Sequence, residues 1–236
     1  LTISPNNSLY AYNNVGRIYR YNLLTDQFEL YLDLAEHIYM GLVLHYLFID
    51  SQEQLWIGLN SGLYCCLLGE TPQLIDSDCH VTYITELPQS MAIGTTCDLR
   101  IYSKDRNLLQ KLCPDTYVQS LLPLPNKEIL LIGTFNCGVK SISLSSWQEQ
   151  PVKNGSLPHT PIRSMIEMTP STVLLGFDGD GVYTYNLSSG EAEPLFTRTN
   201  RMLTAMGVYS LCRDCEDNIW IGTYTGGAFL MMPEET

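Results

Sequence analysis

Short apolar strands that end on glycine recur along the chain, separated by polar turns. Leu55-Trp56-Ile57-Gly58, Met91-Ala92-Ile93-Gly94-Thr95, Leu130-Leu131-Ile132-Gly133-Thr134, Val173-Leu174-Leu175-Gly176 and Ile219-Trp220-Ile221-Gly222-Thr223 share one pattern, and Leu9-Tyr10-Ala11-Tyr12 is a weaker sixth copy. Counted from Tyr12 and then from each anchor glycine, the steps are 46, 36, 39, 43 and 46 residues. A period near forty built from strands is the length of a four-stranded propeller blade. The pattern therefore predicts an all-β chain, a β-propeller of four-stranded antiparallel blades. Six repeats are countable, over about 1–46, 47–82, 83–121, 122–164, 165–210 and 211–236, the last one incomplete.

The remainder of each repeat fits the same unit. An apolar or aromatic residue stands eleven positions before each anchor end, at Leu1, Leu47, Tyr83, Leu122, Met165 and Leu211, and predicts an inner strand starting there. Turn-forming stretches such as Asp50-Ser51-Gln52-Glu53 and Asp214-Cys215-Glu216-Asp217-Asn218 separate it from the anchor and read as hairpin loops. Gly16, Gly62, Gly138, Gly181 and Gly227 follow the anchors at the point where a second turn needs positive φ. Beyond them, segments such as Gly181-Val182-Tyr183-Thr184-Tyr185 alternate with a period of two, as a half-buried strand does. A weaker fourth strand is expected around residues 28–30, 73–75, 108–110 and 194–196. Only residues 26–44 fit a helical period about as well as a strand period.

Trp56 and Trp220 occupy equivalent anchor positions and are expected to pack between neighbouring blades. The glycines at 58, 94, 133, 176 and 222 complete this structural set.

The anchors carry a family resemblance. Asp217-Asn218-Ile219-Trp220-Ile221-Gly222-Thr223 with Gly226-Gly227-Ala228-Phe229, and Gln54-Leu55-Trp56-Ile57-Gly58-Leu59 with Gly62-Leu63-Tyr64, resemble the two-component regulator propeller repeat. In the other repeats Tyr10, Ala92, Leu131 and Leu174 replace the tryptophan. The resemblance implies a periplasmic sensor region of a hybrid two-component histidine kinase of the Bacteroides type, with an oligosaccharide ligand. It also implies an inner-membrane protein whose kinase lies elsewhere, neighbouring propeller or sensor modules in the same longer chain, and a homodimer formed through the full-length protein. Propellers of this family more often have seven blades, so six or seven both stay open. The final repeat stops after its third strand, which reads as an excised segment with an open edge after Met232.

Charge narrows the partners. Thirteen basic against twenty-five acidic residues give a net charge of −12, which repels phosphate backbones and excludes nucleic acid as the expected partner. No apolar run has the roughly twenty residues of a membrane-spanning helix.

Catalytic signatures are missing: the sequence has no Gly-x-Ser-x-Gly elbow, His-Glu-x-x-His, phosphate loop or dinucleotide fingerprint. No cofactor and no metal are expected. The four histidines, 37, 45, 80 and 159, are scattered over three repeats. The turn Asp178-Gly179-Asp180 lacks the rest of a calcium loop, and Cys212-Arg213-Asp214-Cys215 lacks the second pair that a zinc site needs. Most of the eight cysteines stand where a small apolar residue would serve.

A propeller gathers the loops between second and third strands, and those between blades, on one face. Asn60, Phe135, Asn136, Phe177, Asp178 and Tyr224 occupy the first set, and Arg163 and Arg201 precede inner strands on the same expected face. Aromatic rings cover the apolar face of a sugar while amides, carboxylates and guanidinium forks bond its hydroxyls or a uronate carboxylate. Two classes compete: a non-catalytic sensor or ligand-binding propeller, and a propeller lyase or glycoside hydrolase whose carboxylates come from different blades. An interaction scaffold without a small ligand is the third reading.

Overall fold

The computed structural model describes residues 1–36, 41–195 and 206–232. Arg201 and His37 lie outside them. The chain divides into two compact units, Leu1–Pro114 and Asp115–Thr236. The first unit holds three four-stranded blades. They are β1 (Thr2–Ile3), β2 (Leu9–Tyr12), β3 (Arg17–Asn22) and β4 (Gln27–Asp33); then β5 (Leu44–Ile49), β6 (Gln54–Leu59), β7 (Gly62–Leu67) and β8 (Gln73–Asp76); then β9 (Val81–Glu86), β10 (Ser90–Thr95), β11 (Leu99–Ser103) and β12 (Leu108–Leu112).

The second unit repeats the plan. Its blades are β13 (Val118–Leu124), β14 (Ile129–Thr134), β15 (Val139–Ser143) and β16 (Glu149–Gln150); then β17 (Ile162–Thr169), β18 (Thr172–Phe177), β19 (Gly181–Asn186) and β20 (Ala192–Pro194); then β21 (Val208–Arg213), β22 (Ile219–Thr223) and β23 (Ala228–Met231). The last blade has three strands among the described residues. Every pairing is antiparallel between consecutive strands. The all-β propeller class thus holds. In the described part of the segment with a helical period, β4 and a single 3-10 turn, Leu34–Glu36, form before β5 begins at Leu44.

The anchors are the second strands, and packing against neighbouring blades of the same unit buries them, as β6 shows. Leu55, Ile57 and Leu59 join one core with Tyr10, Ile18 and Leu47, and on the opposite face of the same strand Trp56 joins Val81, Ile84, Met91 and Tyr102 of the next blade. In the second unit, Leu131, Val139, Ile162, Leu175 and Phe177 form the corresponding core. The anchor glycine has a steric reason. A Cβ on Gly58 would lie 2.4 Å from Val81 Cγ1, on Gly133 2.8 Å from Ile162 Cγ2, and on Gly176 2.7 Å from Val208 Cγ1. The first strand of the following blade therefore passes directly over the glycine, closer than any side chain permits.

One carboxylate fixes each tryptophan hairpin. Asp50 accepts hydrogen bonds from the backbone N–H of Gln52 and Gln54, each 2.9 Å, and from Trp56 Nε1, also 2.9 Å. Asp214 does the same for Glu216, Asn218 and Trp220 Nε1, the last at 2.8 Å. The two indoles nevertheless differ: Trp56 is wholly buried, whereas Trp220 is 44% exposed. This corrects the expectation that both pack between blades. Trp56 is covered by the next blade of its own unit, and Trp220 stands on the final blade of its unit, which offers no following sheet.

The first strands begin about three residues earlier than the sequence pattern predicts, at Leu44, Val81, Val118, Ile162 and Val208. At each start a bulge inserts one extra residue that shifts the register. The extra residues are His45, Thr82, Gln119, Arg163 and Tyr209. Arg163 accordingly sits within a strand and not in the loop before it.

Candidate functional site

Three positions per blade meet at this bulged end. The bulge supplies one side chain. The residue two past the anchor glycine supplies a second, and its backbone N–H is tied to the carbonyl of the residue that stands two before the bulge. These ties run from Asn60 to Val43, Thr96 to His80, Phe135 to Tyr117, Asp178 to Pro161 and Tyr224 to Gly207, all between 2.9 and 3.1 Å. The backbone thereby fixes where these side chains emerge.

In the second unit the position carries a polar centre between aromatic pairs. Arg163 directs Nε (3.0 Å) and Nη2 (2.7 Å) at Asp178 Oδ2, and Nη1 (2.6 Å) at Gln119 Oε1. Its guanidinium lies 4.9 Å from the centre of the Tyr209 ring, a cation–π distance. Tyr209 Oη donates to Asp178 Oδ2 at 3.2 Å. Burial, with Asp178 acting in the same direction against Arg163, raises the Tyr209 phenol above its ordinary range, which keeps it a neutral donor. Tyr209 stacks on Tyr224 with centroids 5.3 Å apart, and Tyr117 stacks on Phe135 at 5.1 Å with planes only 12° apart. Tyr224 is 75% and Phe135 41% exposed, so two aromatic faces are open to solvent.

The predicted residues separate into groups. Arg163, Asp178, Phe135 and Tyr224 stand at this bulged end of the second unit, and Asn136 is exposed beside Phe135. Phe177 does not join them. It is fully buried and meets Tyr183 edge to face at 5.3 Å, because the residue directly after the anchor glycine points into the blade, as Thr134 and Thr223 do when their hydroxyls donate to Gly138 and Gly227 carbonyls at 2.8 Å. Asn60 belongs to the first unit. Its amide is occupied there, accepting from Val43 N–H at 2.9 Å and donating to Gly41 O at 3.0 Å. Gln119, Tyr117 and Tyr209 were missed by sequence reasoning; an extra residue between an apolar strand start and its alternating continuation is the signal that would have found them.

Asp178 is engaged by Arg163 and Tyr209, and Asp180 accepts from Thr160 Oγ1 at 2.6 Å. Among the described residues no three potential metal ligands come together. Cys65, Cys66, Cys79 and Cys113 are buried, and burial raises Cys65 and Cys79 to about 12 and Cys66 to about 11, so at neutral pH these last three are packing thiols. In the first unit the equivalent bulged ends carry His45 and His80, whose Nε2 atoms are 2.9 Å apart.

No protein-family model and no curated protein matches the sequence. Solved structures do match its fold. The extracellular domain of hybrid two-component system BT4673 from B. thetaiotaomicron aligns with a TM-score of 0.78 at 18% identity, over 99% of this chain and 32% of that one. The extracellular domain of hybrid two-component system BT3049 from the same organism gives 0.72 at 14% identity, over 98% and 33%. A chain of a mitotic checkpoint complex gives 0.72 at 12% identity, over 100% and 80%. The chain thus spans about a third of the length of the first structures it resembles. Among the described residues no helix is long and apolar enough to cross a membrane.

Proposed function

We propose that this chain is a non-catalytic, ligand-binding sensor propeller of a hybrid two-component signalling protein, working in the periplasm as part of an inner-membrane protein. Its ligand is an oligosaccharide, bound at the bulged strand ends of residues 115–232. The observation that carries the reading is the Arg163 cluster. A guanidinium already oriented by Asp178, Gln119 and Tyr209 offers its remaining donor capacity from a fixed position, and exposed aromatic faces occur on the blades before and after it. That combination suits a sugar, whose C–H face stacks on a ring while its hydroxyls find charged donors and acceptors. The similarity to extracellular domains of two-component systems supports the assignment to signalling. The mitotic relative has the same fold, so the fold alone does not decide the function.

A hydrolase or lyase reading requires two carboxylates free to act on one bond. Asp178 is instead locked to Arg163 and Tyr209, and Asp180 to Thr160. The mechanism of a sensor is a population shift, in which ligand favours one arrangement of modules or of protomers in the full-length homodimer and so biases a remote kinase.

Replacing Tyr224 by alanine removes an exposed ring and is expected to weaken glycan binding by about 1–3 kcal/mol with little change in Tm. Arg163→Ala should weaken binding by a similar amount and also lower Tm, because it releases Gln119 and Asp178 from their partners. Calorimetric titration of the parent and both variants tests this. Equal affinity in all three places the ligand elsewhere.

A further inference from the structure

The first unit carries a different chemistry at the same register. His45 is the bulge residue of β5, and His80 directly precedes β9 with its carbonyl bound by Thr96 N–H at 3.1 Å. The His80 backbone is therefore tied to the sheet, and His45 is held between the paired residues Leu44 and Tyr46. Their Nε2 atoms are 2.9 Å apart, while the ring centroids are 4.5 Å apart.

These two distances, with the ring planes 41° apart, limit how the rings aim. A five-membered ring with bonds of about 1.35 Å has a radius of about 1.15 Å, so imidazoles meeting head-on across this gap would place their centroids about 5.2 Å apart. The observed separation is shorter, so the rings lean together. In a symmetric pair, lines drawn from each centroid through its Nε2 converge about 2.1 Å beyond the nitrogens, which is the imidazole–metal bond length of about 2.0–2.1 Å. The angle at that point is close to 90°, the cis angle of square-planar or tetragonal Ni²⁺ and Cu²⁺; a tetrahedral ion would need the nitrogens about 3.4 Å apart.

We propose that His45 and His80 form a two-imidazole site for a divalent transition metal of the Ni²⁺ or Cu²⁺ type, with water completing the coordination sphere. The pair lies at a solvent-accessible surface, His45 being exposed and His80 half-buried. No third side chain is required. The site is independent of the sugar reading.

The test is calorimetric titration of the protein with Ni²⁺, which does not oxidise the free thiols, for the parent and for His45→Gln, His80→Ala and His159→Ala, with a melting curve for each. The account expects one ion per chain, at least tenfold weaker binding in the two pair variants, parental affinity in His159→Ala, and a Ni²⁺-dependent rise in Tm that the pair variants lose. His45→Gln retains an amide able to hydrogen-bond His80, so it separates metal ligation from local packing. Absence of binding overturns the proposal. So does undiminished binding in either pair variant, which would place the ion on thiols instead.

Discussion

At the scale of single residues, the two tryptophans show how one motif acquires two environments. Trp56 and Trp220 make the same hydrogen bond to equivalent turn aspartates, Asp50 and Asp214, but only Trp56 is sealed by Tyr102, whose ring centre is 6.4 Å away. Trp56→Ala is expected to cost about 3–5 kcal/mol, the range for deleting a large core aromatic, and Trp220→Ala clearly less. Urea denaturation of both variants measures the difference. A second residue-scale consequence is acid sensitivity in the first unit. Arg100 lies almost fully buried between Asp98 (3.0 Å) and Asp76 (2.7 Å). Burial pushes the Asp76 carboxyl upward, but hydrogen bonds from Tyr102, the Asp78 backbone and Arg100 outweigh it, and Asp76 titrates below its ordinary value. Glu86 does likewise, its burial being outweighed by Lys104 and Ser51. Groups with depressed folded-state values stabilise above the unfolded pKa of about 4 and lose that contribution as pH falls further. Thermal melts from pH 7 to pH 3 should therefore show Tm falling below about pH 4, and Asp76→Asn should flatten the fall while lowering Tm at neutral pH.

At the scale of elements, what could be read from the sequence and what could not meet within the same strand. Leu-Trp-Ile-Gly-type anchors are legible because each residue there answers a strong constraint: apolar faces on both sides and a glycine beneath the next blade's Val81, Ile162 or Val208. The glycines of the second turn are legible too, and Gly16, Gly62, Gly138, Gly181 and Gly227 all have positive φ, between 68° and 146°. The bulged strand ends are not. An alternating pattern followed backwards from Leu47, Leu122 or Leu211 stops where one inserted residue shifts the phase, and that inserted residue is His45, Gln119 or Tyr209. Candidate site residues found through the loops, Asp178 and Tyr224, stand there, whereas Phe177 was misread because one step along a strand reverses a side chain's direction. His45 and His80, distant in sequence, come together only because consecutive blades bring their bulged strand ends side by side.

At the scale of the whole molecule, the chain corresponds to about a third of the extracellular domains it resembles, so the proposed glycan recognition belongs to this chain only if the chain itself binds. The account's central claim is that it does, through the Arg163 cluster. A ligand present at a hundred times its Kd stabilises the folded state by about 2.7 kcal/mol, which for a domain of this size raises Tm by roughly 5–10 °C. The most direct measurement is a thermal-shift screen of these 236 residues against neutral and uronate-containing glycan fragments, run in parallel on Tyr224→Ala. The account predicts at least one glycan that raises the parent's Tm by several degrees and the variant's by markedly less. A parent that melts unchanged with every fragment, or a variant that shifts as much as the parent, would contradict it.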